Sequence, residues 1–252
     1  MTKHEKIAYA KEKIAISIGR DADIFEQGKN VFIESGDDDD FFTFIHFDSS
    51  NAVFIADKAI LGWCIENFTD VPGSKIMKGE HFCALDAKLR EHGRRIPNDY
   101  KDISFMRLEK TVGNLTTKEY SEYEFEIYEK SKLTELEELY DAETFSQALD
   151  EDREEVLAIV ARKDGEIVAV ASCNEGYKGA FWCINVDTLA EHRGKGLATG
   201  LVAKITTEIE NRGHIPLYTT WETNVASMSV AAATGFSPVW LWCWAFDIEQ
   251  RD

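Results

Sequence analysis

Arg193-Gly194-Lys195-Gly196 holds the densest chemistry in this 252-residue chain. Two glycines one residue apart let the backbone turn sharply, and they put no Cβ in the way of a ligand. Ile184 and Val186 before the loop suit a buried strand. Leu197, Leu201, Ile205 and Ile209 after it recur at the spacing of one helical face. The loop therefore sits where a strand enters a helix. The first N–H groups of a helix have no partner inside it, and together with the positive end of the helix dipole they favour an anion. Arg193 and Lys195 add full charges. The inference is a site for a phosphate or pyrophosphate, with an ordinary solvated glycine turn as the plain alternative. A phosphate loop of the nucleotide-hydrolysing kind is excluded, because it needs four residues between its glycines and then Lys and Ser/Thr. The dinucleotide pattern G-x-G-x-x-G also fails: Thr199 stands where its third glycine belongs, with Gly200 one place late.

A third reading of the loop is acyl-coenzyme A. Following a strand, Glu191-His192-Arg193-Gly194-Lys195-Gly196 resembles the Q/R-x-x-G-x-G/A signature of GNAT acetyltransferases, with Glu191 in place of the Q/R. Downstream, Asn224-Val225-Ala226-Ser227-Met228-Ser229-Val230-Ala231-Ala232-Ala233-Thr234-Gly235-Phe236 is similar to the family's second signature, N-x-A-S-x-x-hydrophobic-Y-x-x-x-G-F. It departs at Ala231, where many members carry a tyrosine as general acid for the leaving thiolate. Trp182–Thr199, Arg212–Tyr218 and Gly235–Trp240 are similar to one subgroup, the zwittermicin-resistance-type acetyltransferases. The firm resemblance covers residues 120–248.

The resemblance implies an α+β fold with a splayed mixed sheet flanked by helices in the second half, opened between its fourth and fifth strands. It implies acetyl-coenzyme A as co-substrate, no metal, and direct transfer to an amine in a ternary complex. Backbone groups of Thr188 and Leu189 would hold the pantetheine arm and thioester. Backbone N–H groups of Arg193, Gly194, Lys195, Gly196, Leu197 and Ala198 would hold the pyrophosphate, with His192 and Thr199 on either side of them. Asn224 and Ser227 would lie near the sulfur, and either could donate a hydrogen bond to the thiolate. A protonated amine must lose a proton before attack, so a carboxylate or an ordered water must take it. The candidates are Asp187, Glu222 and Glu175; each could instead be a carboxylate bonded to backbone or solvated in a loop. Two other functions fit the same residues: a GNAT-like protein that binds acyl-coenzyme A without turning it over, or an acetyltransferase acting on protein lysines or N-termini.

Composition narrows the partners. The net charge of −18 disfavours nucleic acid, whose phosphates would be repelled, and favours a cationic, amine-bearing acceptor, with an acidic surface that serves solubility alone as the plain alternative; that the acceptor is small is what the subgroup resemblance implies. The positive loop is then a local exception. Hydrophobic residues at 44% argue against disorder, and no apolar run has the length of a membrane span. Five cysteines without a repeating spacing, and no signal-peptide pattern at the start, suggest reduced thiols in a cytoplasm. No Cys/His cluster has zinc spacing.

The elements that must position these residues follow from periodicity and turn residues. Residues 3–18 read as a helix, and Asp21 as the cap of a second ending near Gly28. Strands are expected at 31–34, 41–47 and 52–57, helices at 58–68 and 74–92, and a strand at 103–108. Gly113-Asn114 among polar residues marks a boundary between a companion α+β domain (1–115) shaping the acceptor side and a GNAT domain (116–252). The second half reads as a strand at 124–128, one or two helices over 132–150 with Leu133, Leu136 and Leu139 inward, and a hairpin turning at Lys163-Asp164-Gly165. Strands at 179–188, 215–220 and 239–248 complete it.

Overall fold

The computed structural model describes residues 1–36, 40–47, 51–97, 101–109, 120–137, 139, 144–149 and 153–248. In chain order they form α1 (Lys3–Ser17), β1 (Val31–Glu34), β2 (Phe42–Phe47), β3 (Ala52–Ala56), α2 (Lys58–Phe68), α3 (Gly73–Ile76) and α4 (Gly79–Arg90). There follow β4 (Arg94–Arg95), β5 (Lys101–Met106), β6 (Glu124–Glu129), α5 (Leu133–Glu137), β7 (Glu155–Lys163), β8 (Glu166–Gly176) and β9 (Phe181–Thr188). The last are α6 (Leu197–Asn211), β10 (Pro216–Trp221), α7 (Val225–Ala233), β11 (Ser237–Trp244) and β12 (Phe246–Asp247). No helix among the described residues is long and apolar enough to cross a membrane.

The chain divides into two compact units that are not consecutive halves. The first is Met1–Ser104 with Thr220–Val225 and Pro238–Asp252, and the second is Phe105–Thr219 with Ala226–Ser237. The boundary expected near Gly113 lies outside the described residues.

In the first unit β3 pairs parallel with β1 and antiparallel with β2, and β2 pairs antiparallel with β11. Alternation along β2 and β3 sends Phe42, Phe44 and Phe54 to one face, where they meet Ile60, Cys64 and Phe68 of α2 and Leu85 and Leu89 of α4. Phe54 stacks on Phe68 at 5.5 Å and meets Phe44 edge-on at 5.3 Å. Each such ring taken fully from water contributes roughly 1.5–3 kcal/mol. α2 begins where Asp57 accepts the Ala59 N–H at 2.7 Å, a side-chain N-cap.

In the second unit β6, β7, β8 and β9 form an antiparallel meander, and β10 pairs parallel with β9. The β9–α6–β10 crossover that a parallel pair requires lays α6 on β7, β8 and β9. Leu197, Leu201, Ile205 and Ile209 are all buried, the face that the spacing predicts. Asp164 and Gly165 take φ of 53° and 88°, the two left-handed residues of a tight hairpin turn between β7 and β8.

Four local expectations are corrected. Asp21 makes no side-chain cap, and only a 3-10 turn, Ala22–Phe25, follows it. The helix expected over 74–92 breaks in two, because Lys78 is extended and Gly79 takes φ of 53°. Leu139 is 54% exposed: α5 stops at Glu137, so the spacing of Leu133 and Leu136 does not carry on to it. The expected last strand is interrupted at Ala245, which separates β11 from β12.

Candidate active site

β9 delivers the signature loop. Its ladder with β10 comprises Trp182↔Pro216, Cys183↔Leu217 and Ile184↔Tyr218, and ends there. Asn185–Thr188 stay paired with β8 alone. This early end is the opening between fourth and fifth strands that the fold was expected to have. Ile184 and Tyr218 are buried where the strands part.

After β9 the chain makes a single 3-10 turn, Ala190–His192, and then the glycine loop. Gly194 and Gly196 take φ of 72° and 81°, left-handed values that a Cβ would strain. Gly196 is the N-cap of α6 and supplies no side-chain bond. The N–H groups of Leu197, Ala198 and Thr199 find no acceptor among the described residues; the first backbone bond of the helix is Gly200 N–H to Gly196 C=O at 3.1 Å. The open donors and the helix dipole converge on one point, an anion cradle.

Arg193 is tied back to the strand. Its Nε donates to the Thr188 C=O at 2.8 Å, and its Nη2 lies 3.7 Å from Asp187 Oδ1. The same Oδ1 accepts the Thr188 N–H at 2.8 Å. Leu189 donates its N–H to the Val168 C=O and accepts from the His192 N–H. The backbone groups of Thr188 and Leu189, expected to hold a ligand, are therefore engaged within the chain. What remains at that point is Thr188 Oγ1, buried with no hydrogen-bond partner among the described residues.

One flank of the loop is aromatic, a feature absent from the sequence reading. Tyr120 Oη donates to the Gly196 C=O at 2.8 Å, and burial raises its pKa. Tyr123 Oη lies 3.2 Å from His192 Nδ1. Lys204 sits over the Phe125 ring at 4.6 Å. Glu122 bonds Lys163 at 2.8 Å, which with the nearby Lys195 holds its carboxyl below the usual range. Three of these partners lie 69 to 79 residues from the loop or helix residue they touch, beyond the reach of any local pattern.

Beyond β10 the second signature forms α7, with Asn224 directly before it. Ser227, in its first turn, shares a hydrogen bond with Tyr218 of β10 at 2.8 Å. Ala231, one turn further, is fully buried. Of the candidate bases, Asp187 is occupied as described, Glu175 is exposed on β8, and Glu222 pairs with Lys101 at 3.0 Å. Glu222 and Asn224 belong to the first unit, whereas Asp187, Ser227 and the loop from Thr188 to Thr199 belong to the second. Burial pushes the Cys183 thiol up to about 12, which disfavours the thiolate form that a nucleophile needs.

A sequence profile described as GNAT acetyltransferase matches residues 30–242. No curated protein matches the chain significantly. Among solved structures, a protein assigned to the GNAT family from Novosphingobium aromaticivorans is 16% identical, covers 62% of this chain and 68% of its own, and superposes with a TM-score of 0.42. A GNAT-family acetyltransferase from Colwellia psychrerythraea is 16% identical over 57% of this chain and 56% of its own, TM-score 0.41, so this chain spans little more than half of it. A Salmonella typhimurium protein solved with its cofactor acetyl-CoA is 17% identical over 50% of this chain and 94% of its own, TM-score 0.37.

Proposed function

Because this chain belongs to the GNAT acetyltransferase family, we propose that it moves an acetyl group from acetyl-coenzyme A to the amine of a small cationic acceptor. One observation carries the reading: α6 starts from a left-handed Gly196 with the N–H groups of Leu197, Ala198 and Thr199 open. The helix start also supports a better register for the first signature. Read two residues on, Arg193-Gly194-Lys195-Gly196-Leu197-Ala198 meets Q/R-x-x-G-x-G/A at every fixed position. Its central glycine then falls on the N-cap, where a positive φ requires it.

When bound, the thioester supplies an activated acetyl group. The open N–H groups hold the pyrophosphate, and Lys195 adds charge to them. Asp187 and the Thr188 C=O fix Arg193 against the strand end, so the loop is set before the ligand arrives. Thr188 Oγ1 fits a polar group of the pantetheine arm at the end of β9. Ser227 bears on the leaving sulfur, and Asn224 enters through the second signature. Holding both substrates in one cleft supplies much of the rate. With Asp187 committed to the loop, a water or another carboxylate takes the proton of the amine. The net charge of −18 draws cations. Resemblance to the zwittermicin-resistance-type subgroup favours a small amine whose acetylation is protective.

The test is calorimetric titration with acetyl-coenzyme A on the parent and on Gly196→Asp, followed by a free-thiol assay with polyamines, amino sugars and peptides. Binding by the parent, lost in the variant, with thiol release on small amines, is the expected result. Binding without thiol release would mark a non-catalytic binder, and release with peptides alone a protein acetyltransferase. A parent that binds nothing would return the loop to an ordinary turn.

A further inference from the structure

We propose that the first unit carries a binding site for an organic ammonium ion, made by the Asp102 carboxylate and the indoles of Trp221, Trp242 and Trp244, which share one face of three adjacent strands. All four residues belong to the first unit, and the site stands whether or not the chain transfers acetyl groups. β5 runs between β11 and β10. Leu241 and Cys243 of β11 pack into the core with Phe42, Phe44 and Phe54, so Trp242 and Trp244 turn to the other face. Lys101 takes the core face as well. Its Nζ lies 4.0 Å over Phe82, which packs against that same core, and 3.0 Å from Glu222. Asp102, next along β5, therefore takes the face of the two tryptophans. Glu222 stands across from Lys101, its N–H on the Lys101 C=O at 3.1 Å. Trp221, one residue back on β10, falls on the Asp102 face within the reach of a cross-strand neighbour. The charges of Lys101, Glu222 and Asp102 all act on the Cys243 thiol, which brings β11 level with the other two strands.

The chemistry of these residues selects the ligand. Asp102 Oδ1 is buried with no hydrogen-bond partner among the described residues, and burial pushes the pKa of the group up to about 6. The adjacent lysine does not neutralise it, since Lys101 is committed to Glu222 and Phe82 on the opposite face. The shared face is closed at Trp240, which is 2% exposed, and half-open at Asp102, Trp221, Trp242 and Trp244. A carboxylate among half-open indoles suits a cation that donates a hydrogen bond and also tolerates an aromatic wall. An ammonium group does both: its N–H donates to the carboxylate oxygen, and its charge is attracted to an indole face. A divalent metal fits poorly, because it needs several oxygen ligands, and the described residues hold no group of three or more side chains that could ligate one. The net charge of −18 adds a general pull on cations.

The experiment is calorimetric titration of the full chain with propylammonium chloride, against sodium chloride at equal ionic strength, at pH 8 where Asp102 is ionised. It compares the parent with Asp102→Asn, Trp221→Leu, Trp242→Leu and Glu66→Gln, with thermal melts as a check of folding. Glu66 is exposed on α2, so its variant removes one charge elsewhere on the unit. The expected result is saturable binding by the parent, weakened about 10-fold or more in Asp102→Asn, the loss of a charge-assisted hydrogen bond. Each tryptophan variant should weaken it about 3-fold or more, the loss of one aromatic wall, and Glu66→Gln should bind as the parent does. A parent that responds to propylammonium no differently from sodium would overturn the site, and so would Asp102→Asn binding as tightly as the parent. Equal losses in Asp102→Asn and Glu66→Gln would reduce it to the pull of an acidic surface and overturn it too. Should a tryptophan variant not fold, Asp102→Asn still decides, because it keeps the shape and removes only the charge. The thiol-release assay then identifies the source of the ammonium. A raised KM for the amine in Asp102→Asn, with the Kd for acetyl-coenzyme A unchanged, assigns it to the acceptor; an unchanged KM with propylammonium binding lost assigns it to a second amine.

Discussion

The ring of Tyr120 rests on Gly200: a Cβ placed on Gly200 would come within 2.8 Å of two ring carbons. The hydroxyl of the same tyrosine reaches the C=O of Gly196, one turn earlier. The absence of a side chain on α6 thus lets an aromatic residue brace the N-cap of the anion cradle. Gly200→Ala sets two effects against each other. Alanine is favoured over glycine inside a helix by about 1 kcal/mol, but overpacking against a rigid ring costs about 1–3 kcal/mol. The clash should win, so that Gly200→Ala melts lower than the parent and binds acetyl-coenzyme A more weakly. In a Tyr120→Ala background the ring is gone, and the same substitution should stabilise. A double-mutant cycle of melts reads the change of sign; the same sign in both backgrounds would refute the packing.

Asp187 and Arg193 yield a prediction that separates positioning from proton transfer. Asp187 Oδ1 holds the Thr188 N–H and faces Arg193, whose Nε holds the Thr188 C=O. Asp187→Asn keeps an acceptor oxygen at the strand end and should leave kcat within roughly 5-fold of the parent, well short of the 10²–10⁴ that removal of a general base costs. Asp187→Ala releases Arg193 and should act mainly on the Kd for acetyl-coenzyme A. If both variants instead lost kcat by that larger factor at unchanged Kd, Asp187 would be the base after all.

What the sequence shows of this molecule is what neighbours in the chain decide. α2 runs from Lys58 to Phe68 as expected because Asp57 caps it and its apolar face is periodic. The Lys163-Asp164-Gly165 turn is legible because its φ values demand those residue types. The loop at Gly194 and Gly196 is legible for the same reason. Tyr120 and Tyr218 were not, since each acts on a residue that only the fold brings near. Nor was the division of the chain, in which Thr220–Val225 and Pro238–Asp252 rejoin the first unit. Gly79 reads as an ordinary glycine in a helix until its neighbours fix its φ at 53°.

Leu136 and Leu139 test the corrected limit of α5. Leu136 is fully buried against Tyr128, Phe145 and Val160, whereas Leu139 is exposed. Leu136→Ala should cost about 2–5 kcal/mol, as cavity-forming changes in cores do. Leu139→Ala should stay within about 0.5 kcal/mol of the parent. Denaturant unfolding of the two variants side by side checks this, and equal losses would mean that the inward face continues past Glu137.

Asp102 on β5 gives the first unit a dependence on pH. Its Oδ1 is buried with no hydrogen-bond partner among the described residues, and burial pushes its pKa up from 3.8 to about 6. Between those values the folded chain holds a proton that the unfolded chain has lost. Stability from this group is therefore greatest below about pH 4 and is lost as pH rises through about 6, a difference on the order of 2–3 kcal/mol. The net charge of −18 also lessens on acidification, so the parent's melting curve alone mixes the two effects. Asp102→Asn separates them, because it keeps the shape and removes only the charge. The variant should melt with the parent at pH 4, where Asp102 is neutral, and above it at pH 8, where the parent must bury a carboxylate. Melts of both proteins from pH 4 to 8 measure the gap. Curves that coincide at every pH would mean that the Asp102 carboxylate is solvated in the folded chain and carries no such cost.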